Sequence, residues 1–225
     1  MKLLSILIPT VAQRPNVSLG LFWELLRQCG HDSSQVGRAA RKVPERCNVG
    51  VTDVGKDFEI IFCGDDKEMS IGQKRNILYR EASAEYCWQI DDDDWIHPNA
   101  IELIVKYLQS KPDCVTFEEK CLINGKEYRS NHSLNYEDWN GDGSTILEDG
   151  FHFQRTPFYK DVIKNTIARN LKLEHIRYGE DHEWSRRLKP HLRNEVHLKT
   201  QIYEYIHNSK PEEHNDRYGI NISGS

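Results

Sequence analysis

The sequence predicts an α/β domain of three layers, with helices on both faces of a mostly parallel central sheet. Three observations carry that prediction. Strand-length apolar runs alternate with helical patterns in the order βαβαβαβ from Leu3 to Glu118, as successive crossover units do. The runs Leu3 to Ile8, Phe58 to Cys63 and Tyr86 to Ile90 are near-continuous in apolar character, which is the pattern of strands covered on both faces. Each run ends in a polar cluster: Pro9-Thr10 with Arg14, Gly64-Asp65-Asp66, and four consecutive aspartates, Asp91 to Asp94. Open α/β sheets bind ligands beyond the carboxyl ends of their strands, so these clusters mark one functional edge.

After the first strand, Leu21, Phe22, Leu25, Leu26 and Cys29 share one helical stripe that stops at Gly30. The segment His31 to Asp57 is basic at Arg38, Arg41, Lys42 and Arg46 and is broken by Pro44, Gly50 and Gly55, which predicts a solvated loop with a short helix; the alternative is a basic arm that touches an anionic acceptor. Ser70 is placed to cap a helix from about Ile71 to Ala82, with Lys74, Arg75 and Asn76 in its first turns. Ile101, Ile104, Val105 and Leu108 fall at i, i+3, i+4 and i+7, an amphipathic helix leading to a strand at Cys114 to Glu118.

The second half changes character. Asn124-Gly125 predicts a hairpin, and Tyr136 to Gly150 is a Gly-, Asp- and Asn-rich loop holding Trp139. A short strand follows at Phe151 to Arg155, then a helix from Tyr159 to Asn170. Gly179-Glu180-Asp181 opens a helix bearing Trp184 and Leu188 that Pro190 ends. Glu195 to Ile206 alternates like a strand, and a polar tail runs from Lys210.

Charged residues make up 29% of the 225 residues and apolar residues 38%, with a net charge of −5. That suits a globular protein and gives no reason to expect whole-surface attraction to nucleic acid or anionic lipid. The six cysteines form no CxxC pair, which favours buried thiols in a reducing, cytoplasmic compartment over disulfides or zinc. The apolar run at the amino terminus is cut short by Pro9, and no window approaches the roughly 20 residues of a membrane span.

Four adjacent carboxylates repel one another, so a fold tolerates them in solvent or around a cation. Hard cations such as Mg2+ or Mn2+ take oxygen ligands, often one or two carboxylates together with substrate phosphates. The cations at the start of the Ile71 helix lie where a helix amino terminus can face a phosphate. Neither GxxxxGK[ST] nor GxGxxG occurs, so P-loop and dinucleotide-fold readings have no support.

Taken together, Ser5 to Thr10 with Arg14-Pro15, Phe58 to Asp66, Gly72 to Asn76, Ile90 to Asp94 with Pro98, and Gly179-Glu180-Asp181 with Arg186-Arg187-Leu188 resemble the motif series of family 2 glycosyltransferases. The resemblance covers residues 3 to 110 well and 150 to 207 more loosely. It implies a single GT-A-type domain over residues 1–209, with a nucleotide-binding half to about residue 118, an acceptor half from about 119 to 209, and a tail at 210–225. It also implies transfer from a nucleoside-diphosphate sugar, most simply a UDP-sugar, with inversion and a Mn2+ or Mg2+ cofactor.

Carried over by position, Pro9, Thr10 and Arg14 fall on the nucleotide-contacting loop, Asp65 (or Asp66) at the base and ribose, and Lys74, Arg75 and Asn76 opposite the diphosphate. Asp93 matches the direct metal ligand, with Asp91 or Asp92 facing metal or ribose, Asp181 the general base, and His207 a carboxy-terminal metal ligand. Trp139 is the better candidate for stacking on an acceptor, and Trp184 for core. The acceptor class stays open among glycan, small molecule, protein and modified nucleic acid. Two rival readings are a sugar-nucleotide pyrophosphorylase, which the glycine-free loop after the first strand disfavours, and a non-catalytic cation-binding module.

Overall fold

The computed structural model of the chain describes residues 1–11, 15–30, 37–42, 47–175 and 179–207. Its elements run β1 (Leu4–Val11), α1 (Pro15–Gln28), β2 (Gly37–Lys42), β3 (Asn48–Val54), β4 (Phe58–Asp65), α2 (Ile71–Glu81), β5 (Tyr86–Gln89), β6 (Trp95–Ile96) and α3 (Ala100–Leu108). The second half adds β7 (Cys114–Ile123), β8 (Lys126–His132), β9 (Phe153–Arg155), β10 (Val162–Lys164), α4 (Asn165–Ala168), α5 (Glu180–Leu188) and β11 (Glu195–His207).

One sheet takes the order β2-β3-β4-β1-β5-β10-β7-β11-β6, with β8 and β9 continuing from β7. Alternation along β1 sorts the core into two layers. Leu4, Ile6 and Ile8 pack with Leu21, Leu25 and Leu26 of α1 and Ile101 and Ile104 of α3. Leu7 belongs to the opposite layer, with Ile77 and Leu78 of α2 and Trp184 and Leu188 of α5. This is the expected three-layer α/β/α arrangement.

Parallel pairing is confined to β4-β1-β5, β7 with β11, and β8 with β9; the remaining pairs are antiparallel, so the sheet is mixed. Part of the difference comes from the basic segment before Asp57. Instead of a loop with a short helix, β2 and β3 form an antiparallel ribbon that extends the sheet from β4.

The helix expected from Tyr159 to Asn170 is also replaced. Val162 and Ile163 form β10, which threads antiparallel between β5 and β7, and only one helical turn, α4, follows. Adjacent β-branched residues buried on both faces of a sheet leave no period-2 signature, so periodicity alone favoured helix. The insertion has a functional consequence: it carries Tyr159, Lys160 and Asp161 under the aspartate run.

Other expectations hold closely. Ser70 caps α2 through a reciprocal pair: its Oγ accepts from the Gln73 N–H, and Gln73 Oε1 accepts from the Ser70 N–H. Asn124 and Gly125 both take positive φ, at 52° and 76°, the geometry of a two-residue turn matched to the twist of β7 and β8. Five of the six cysteines are buried and all are free thiols. Among the described residues no helix is long and apolar enough to cross a membrane.

Candidate active site

The carboxyl ends of β1 and β5 and the first turns of α2 enclose a cavity of about 330 Å³. Pro9, Thr10, Lys74, Arg75 and the carboxylates Asp91, Asp92 and Asp93 line it. Three of the sequence clusters therefore converge where the topology predicts.

The four aspartates have four different environments. Asp91 receives Arg75 in a two-pronged contact, Nη1 to Oδ1 at 2.8 Å and Nη2 to Oδ2 at 3.2 Å. Tyr159 Oη also donates to Asp91 Oδ2, at 2.8 Å. Burial works against ionisation of Asp91, but Arg75 outweighs it and holds the carboxyl below its usual range. Asp92 accepts the Thr10 hydroxyl at 2.6 Å, which ties the ends of β1 and β5 together. Asp93, half-buried, stands in the cavity wall.

Asp94 turns away from the cavity. It accepts from Tyr203 Oη at 2.7 Å and from the Ile206 N–H at 2.8 Å, and Lys160 Nζ lies 3.4 Å from it. Burial pushes its carboxyl well above the usual range in spite of Lys160. Tyr203 Oη also accepts the Asp91 N–H at 3.1 Å, so β11 grips both ends of the acidic turn.

Lys74 and Arg75 are both buried. Lys74 donates to the Thr10 carbonyl at 2.8 Å and pairs with Asp65. Asp65 does not face the cavity: it is 3% exposed, and its carboxylate receives Lys74 and the Met69 N–H. Burial opposes its ionisation, and these donors hold it below the usual range all the same. Asp65, expected at the base and ribose, stands beneath Lys74 in this structure, while Asp66 is exposed.

Asn76 likewise does not face the cavity. Its amide brackets the backbone of Leu173, donating to the Leu173 carbonyl and accepting the Leu173 N–H, both at 2.8 Å. Gly72, one turn earlier, lies against the same segment: a Cβ there would meet the Glu174 carbonyl oxygen at 2.3 Å. Gly72 and Asn76 therefore pin the strand of chain that leads towards Asp181. Arg14 lies outside the described residues.

A second cavity, about 270 Å³, is lined in part by Tyr159, which touches Asp91 and Arg75 of the first. Asp181 and Trp139 line it, together with Arg155, Phe158, Lys160 and Tyr205. Asp181 sits in the first turn of α5, where its Oδ1 accepts the His182 N–H at 2.8 Å. The Tyr159 ring, in the wall of this second cavity, packs on Arg75 of the first, whose guanidinium lies 3.4 Å from its centroid. Trp184, by contrast, is fully buried and stacks on Tyr79 at 5.7 Å.

A buried chain of charge starts at Lys160 and Glu119 in the wall of the second cavity. Lys160 pairs with Glu119 at 2.9 Å, Glu119 with His132 at 3.4 Å, and His132 with Asp161 at 3.0 Å. Burial would neutralise these groups, but Lys160 and His132 bring Glu119 down to about 2. Burial would also lower His132, yet Asp161 and then Glu119 raise it to about 9. Sequence reasoning missed Arg155, Tyr159, Lys160 and Tyr203. Their one signal was the Lys160-Asp161 charge pair inside an apolar stretch.

His207 ends β11 and lines neither cavity; its ring lies 6.2 Å from that of Tyr205. Among the described residues, no three His, Cys, Asp or Glu side chains are gathered into a metal cage. Arg75 and Tyr159 both bond Asp91 through Oδ2, while its Oδ1, 2.8 Å from Arg75 Nη1, makes no hydrogen bond. Asp92 and Asp93 bring hard oxygen donors to the cavity beside cations suited to phosphate. That donor set fits Mg2+ or Mn2+ completed by substrate oxygens.

The family described as glycosyl transferase family 2 matches residues 52–168, more than half of the chain. No curated protein sequence matches. Among solved structures, the chain is similar to S. aureus TarS, at 12% identity and a TM-score of 0.57, over 92% of this chain and 37% of that one. TarS 1-349 in complex with UDP gives 13% identity and a TM-score of 0.58, over 92% and 60%. TarS 1-349 in complex with UDP-GlcNAc gives 12% and 0.58, over 93% and 60%. The chain thus spans between 37% and 60% of the length of these structures, and the likeness is one of fold.

Proposed function

The chain belongs to glycosyl transferase family 2, and from that premise we propose that it moves a sugar from a UDP-sugar to an acceptor hydroxyl with inversion. The observation that carries this reading is a pair of cavities, one walled by Lys74, Arg75 and the aspartates, the other by Asp181 and by Tyr159, which itself bonds Asp91 and packs on Arg75. The lining of the first lies before residue 118 and that of the second from residue 119 onward, which supports a donor half and an acceptor half. TarS, of similar fold, holds UDP and UDP-GlcNAc in its crystal structures, which supports UDP as the nucleotide.

In this reading Pro9 and Thr10 contact the nucleotide, and Lys74 and Arg75 face its diphosphate. Asp93, with Asp92, would hold Mg2+ or Mn2+. When bound, that ion supplies a Lewis acid for the leaving diphosphate. Asp65 acts through Lys74, and Asn76 through the Leu173 segment. Asp181 takes the proton from the acceptor hydroxyl, which approaches the anomeric carbon from the side opposite the diphosphate. Lys74 and Arg75, already oriented by Asp65 and Asp91, need little rearrangement to balance the developing phosphate charge. Asp181 lines the second cavity and Glu180 does not, so Asp181 is the better-placed base of the two. The buried free thiols support a reducing, cytoplasmic setting.

The test is nucleotide release from a panel of sugar nucleotides with Mn2+ or Mg2+ present. Slow hydrolysis of one UDP-sugar, dependent on the metal, is expected. Turnover only with a nucleoside triphosphate and a sugar phosphate would replace transfer by nucleotidyl chemistry.

A further inference from the structure

We propose that the cavity beside Asp181 contains an oxyanion subsite centred on Arg155, and that the acceptor therefore carries a carboxylate or phosphate. The inference rests on the transferase reading for the word acceptor; the subsite itself stands on the geometry of Arg155.

The other cations of the two cavities' inner walls have carboxylate partners: Lys74 has Asp65, Arg75 has Asp91, and Lys160 has Glu119. Arg155 has none within ion-pair distance among the described residues. Its Nη1 donates to the carbonyls of Asn140 at 2.8 Å and Gln154 at 2.9 Å. No protein acceptor among the described residues meets its Nε and Nη2. Those two nitrogens form the edge of the guanidinium that binds carboxylate or phosphate through two parallel hydrogen bonds.

The edge is also held in place. The guanidinium lies between two rings, 4.7 Å from the centroid of Trp139 and 4.9 Å from that of Phe153. The two backbone acceptors fix its rotation, so little freedom is lost when an anion docks. Burial lowers the pKa of Arg155, as expected for a half-buried cation short of counter-charge.

Two further donors line the same cavity without partners. Ser130 is 1% exposed, and its Oγ makes no hydrogen bond. The indole Nε1 of Trp139 is buried and also unpaired. Buried polar groups left unmet are costly, so the cavity is arranged for a ligand that accepts from all three. A neutral sugar hydroxyl can satisfy Ser130 or the indole, but it leaves the guanidinium charge unbalanced. An oxyanion matches the cation and both neutral donors.

The experiment uses the full chain, 15N-labelled and saturated with UDP and Mg2+ so that the donor cavity is filled. It is titrated in parallel with glucose, glucose 6-phosphate and glucuronate, three pyranoses that differ in anionic group. The Arg155 Nε–H and Trp139 indole signals are followed. At least one anionic sugar is expected to shift both at a midpoint about tenfold or more below that of glucose. Preference for glucose 6-phosphate identifies a phosphate acceptor, and preference for glucuronate a carboxylate acceptor.

Arg155→Gln is expected to abolish the preference. Arg155→Lys, which keeps the charge without the fork, is expected to reduce it while UDP binding persists. Equal midpoints for the three sugars, or a preference that survives in Arg155→Gln, would overturn the subsite. Failure of UDP to bind at the outset would instead overturn the transferase reading, and the anion preference would then be read in UDP-free protein.

Discussion

The cavity walled by Asp91, Asp92 and Asp93 and the cavity walled by Trp139 and Asp181 are joined through Tyr159, which lines the second and touches Asp91 and Arg75 of the first, yet they balance charge in opposite ways. In the first, the buried cations Lys74 and Arg75 are matched in place by Asp65 and Asp91, so the wall is pre-set before any ligand arrives. In the second, Arg155 is flanked by rings and backbone carbonyls and has no matching carboxylate. Carboxylate-matched cations suit a donor whose charge a metal also carries, and an unmatched cation suits a ligand that brings its own charge. On the proposed reading, the two cavities would recognise different parts of the reaction, one the donor and the other the acceptor.

The sharpest way to break this division is Asp181→Asn. Transfer is expected to fall by about 10³–10⁴-fold while UDP affinity stays unchanged, measured by product formation and by titration calorimetry on the same preparation. Lost UDP affinity would place Asp181 in the donor cavity instead.

Next in size is Lys160→Met, which leaves Glu119 and Asp94 buried without their shared cation. A loss of about 4 kcal/mol in urea unfolding is expected, because this lysine joins the acidic turn to the sheet beneath the second cavity. A change below about 1 kcal/mol would mean the buried chain of charge does not support the site.

His132 gives the corresponding pH signature. Its pKa is about 9 in the folded chain and about 6.5 unfolded, so its contribution is complete below about pH 6.5 and is lost as pH rises through about 9. Stability is expected to fall by about 3 kcal/mol across that window, and the slope to flatten in His132→Gln. The readout is the unfolding midpoint at pH 6.5 and at pH 9.5.

The smallest effect expected is that of Gly72→Ala, whose Cβ would lie 2.3 Å from the Glu174 carbonyl oxygen. About 2 kcal/mol of destabilisation follows from that overlap. The same shift of the Leu173–Glu174 segment should lower transfer more than it lowers UDP binding. Equal losses in both would unlink α2 from the second cavity.

The first cavity was legible in the sequence because parallel strands bring their carboxyl ends to one edge, and the polar clusters after Ile8, Cys63 and Ile90 were visible as interruptions of apolar runs. The capped helix at Ser70 was legible for the same local reason. What sequence did not disclose was direction. Asp65 and Asn76 carry the right chemistry at the right place, but one supports Lys74 and the other holds Leu173. The second cavity was mostly illegible because long-range pairing builds it. Val162 and Ile163 enter the sheet between β5 and β7, which puts Tyr159 and Lys160 beside an acidic turn far from them in sequence. Of its lining, only Asp181 and Trp139 were expected.

The central claim is that the acidic turn forms a metal-coupled nucleotide site in which Asp93 is the direct ligand. The most direct measurement is calorimetric titration of UDP with and without Mn2+ into the wild-type chain and into Asp93→Ala. In the wild type, Mn2+ is expected to tighten UDP binding by tenfold or more, an effect on the order of 1.4 kcal/mol, and Asp93→Ala is expected to abolish that gain. Metal-independent UDP binding in the wild type, or an undiminished Mn2+ effect in Asp93→Ala, would contradict it.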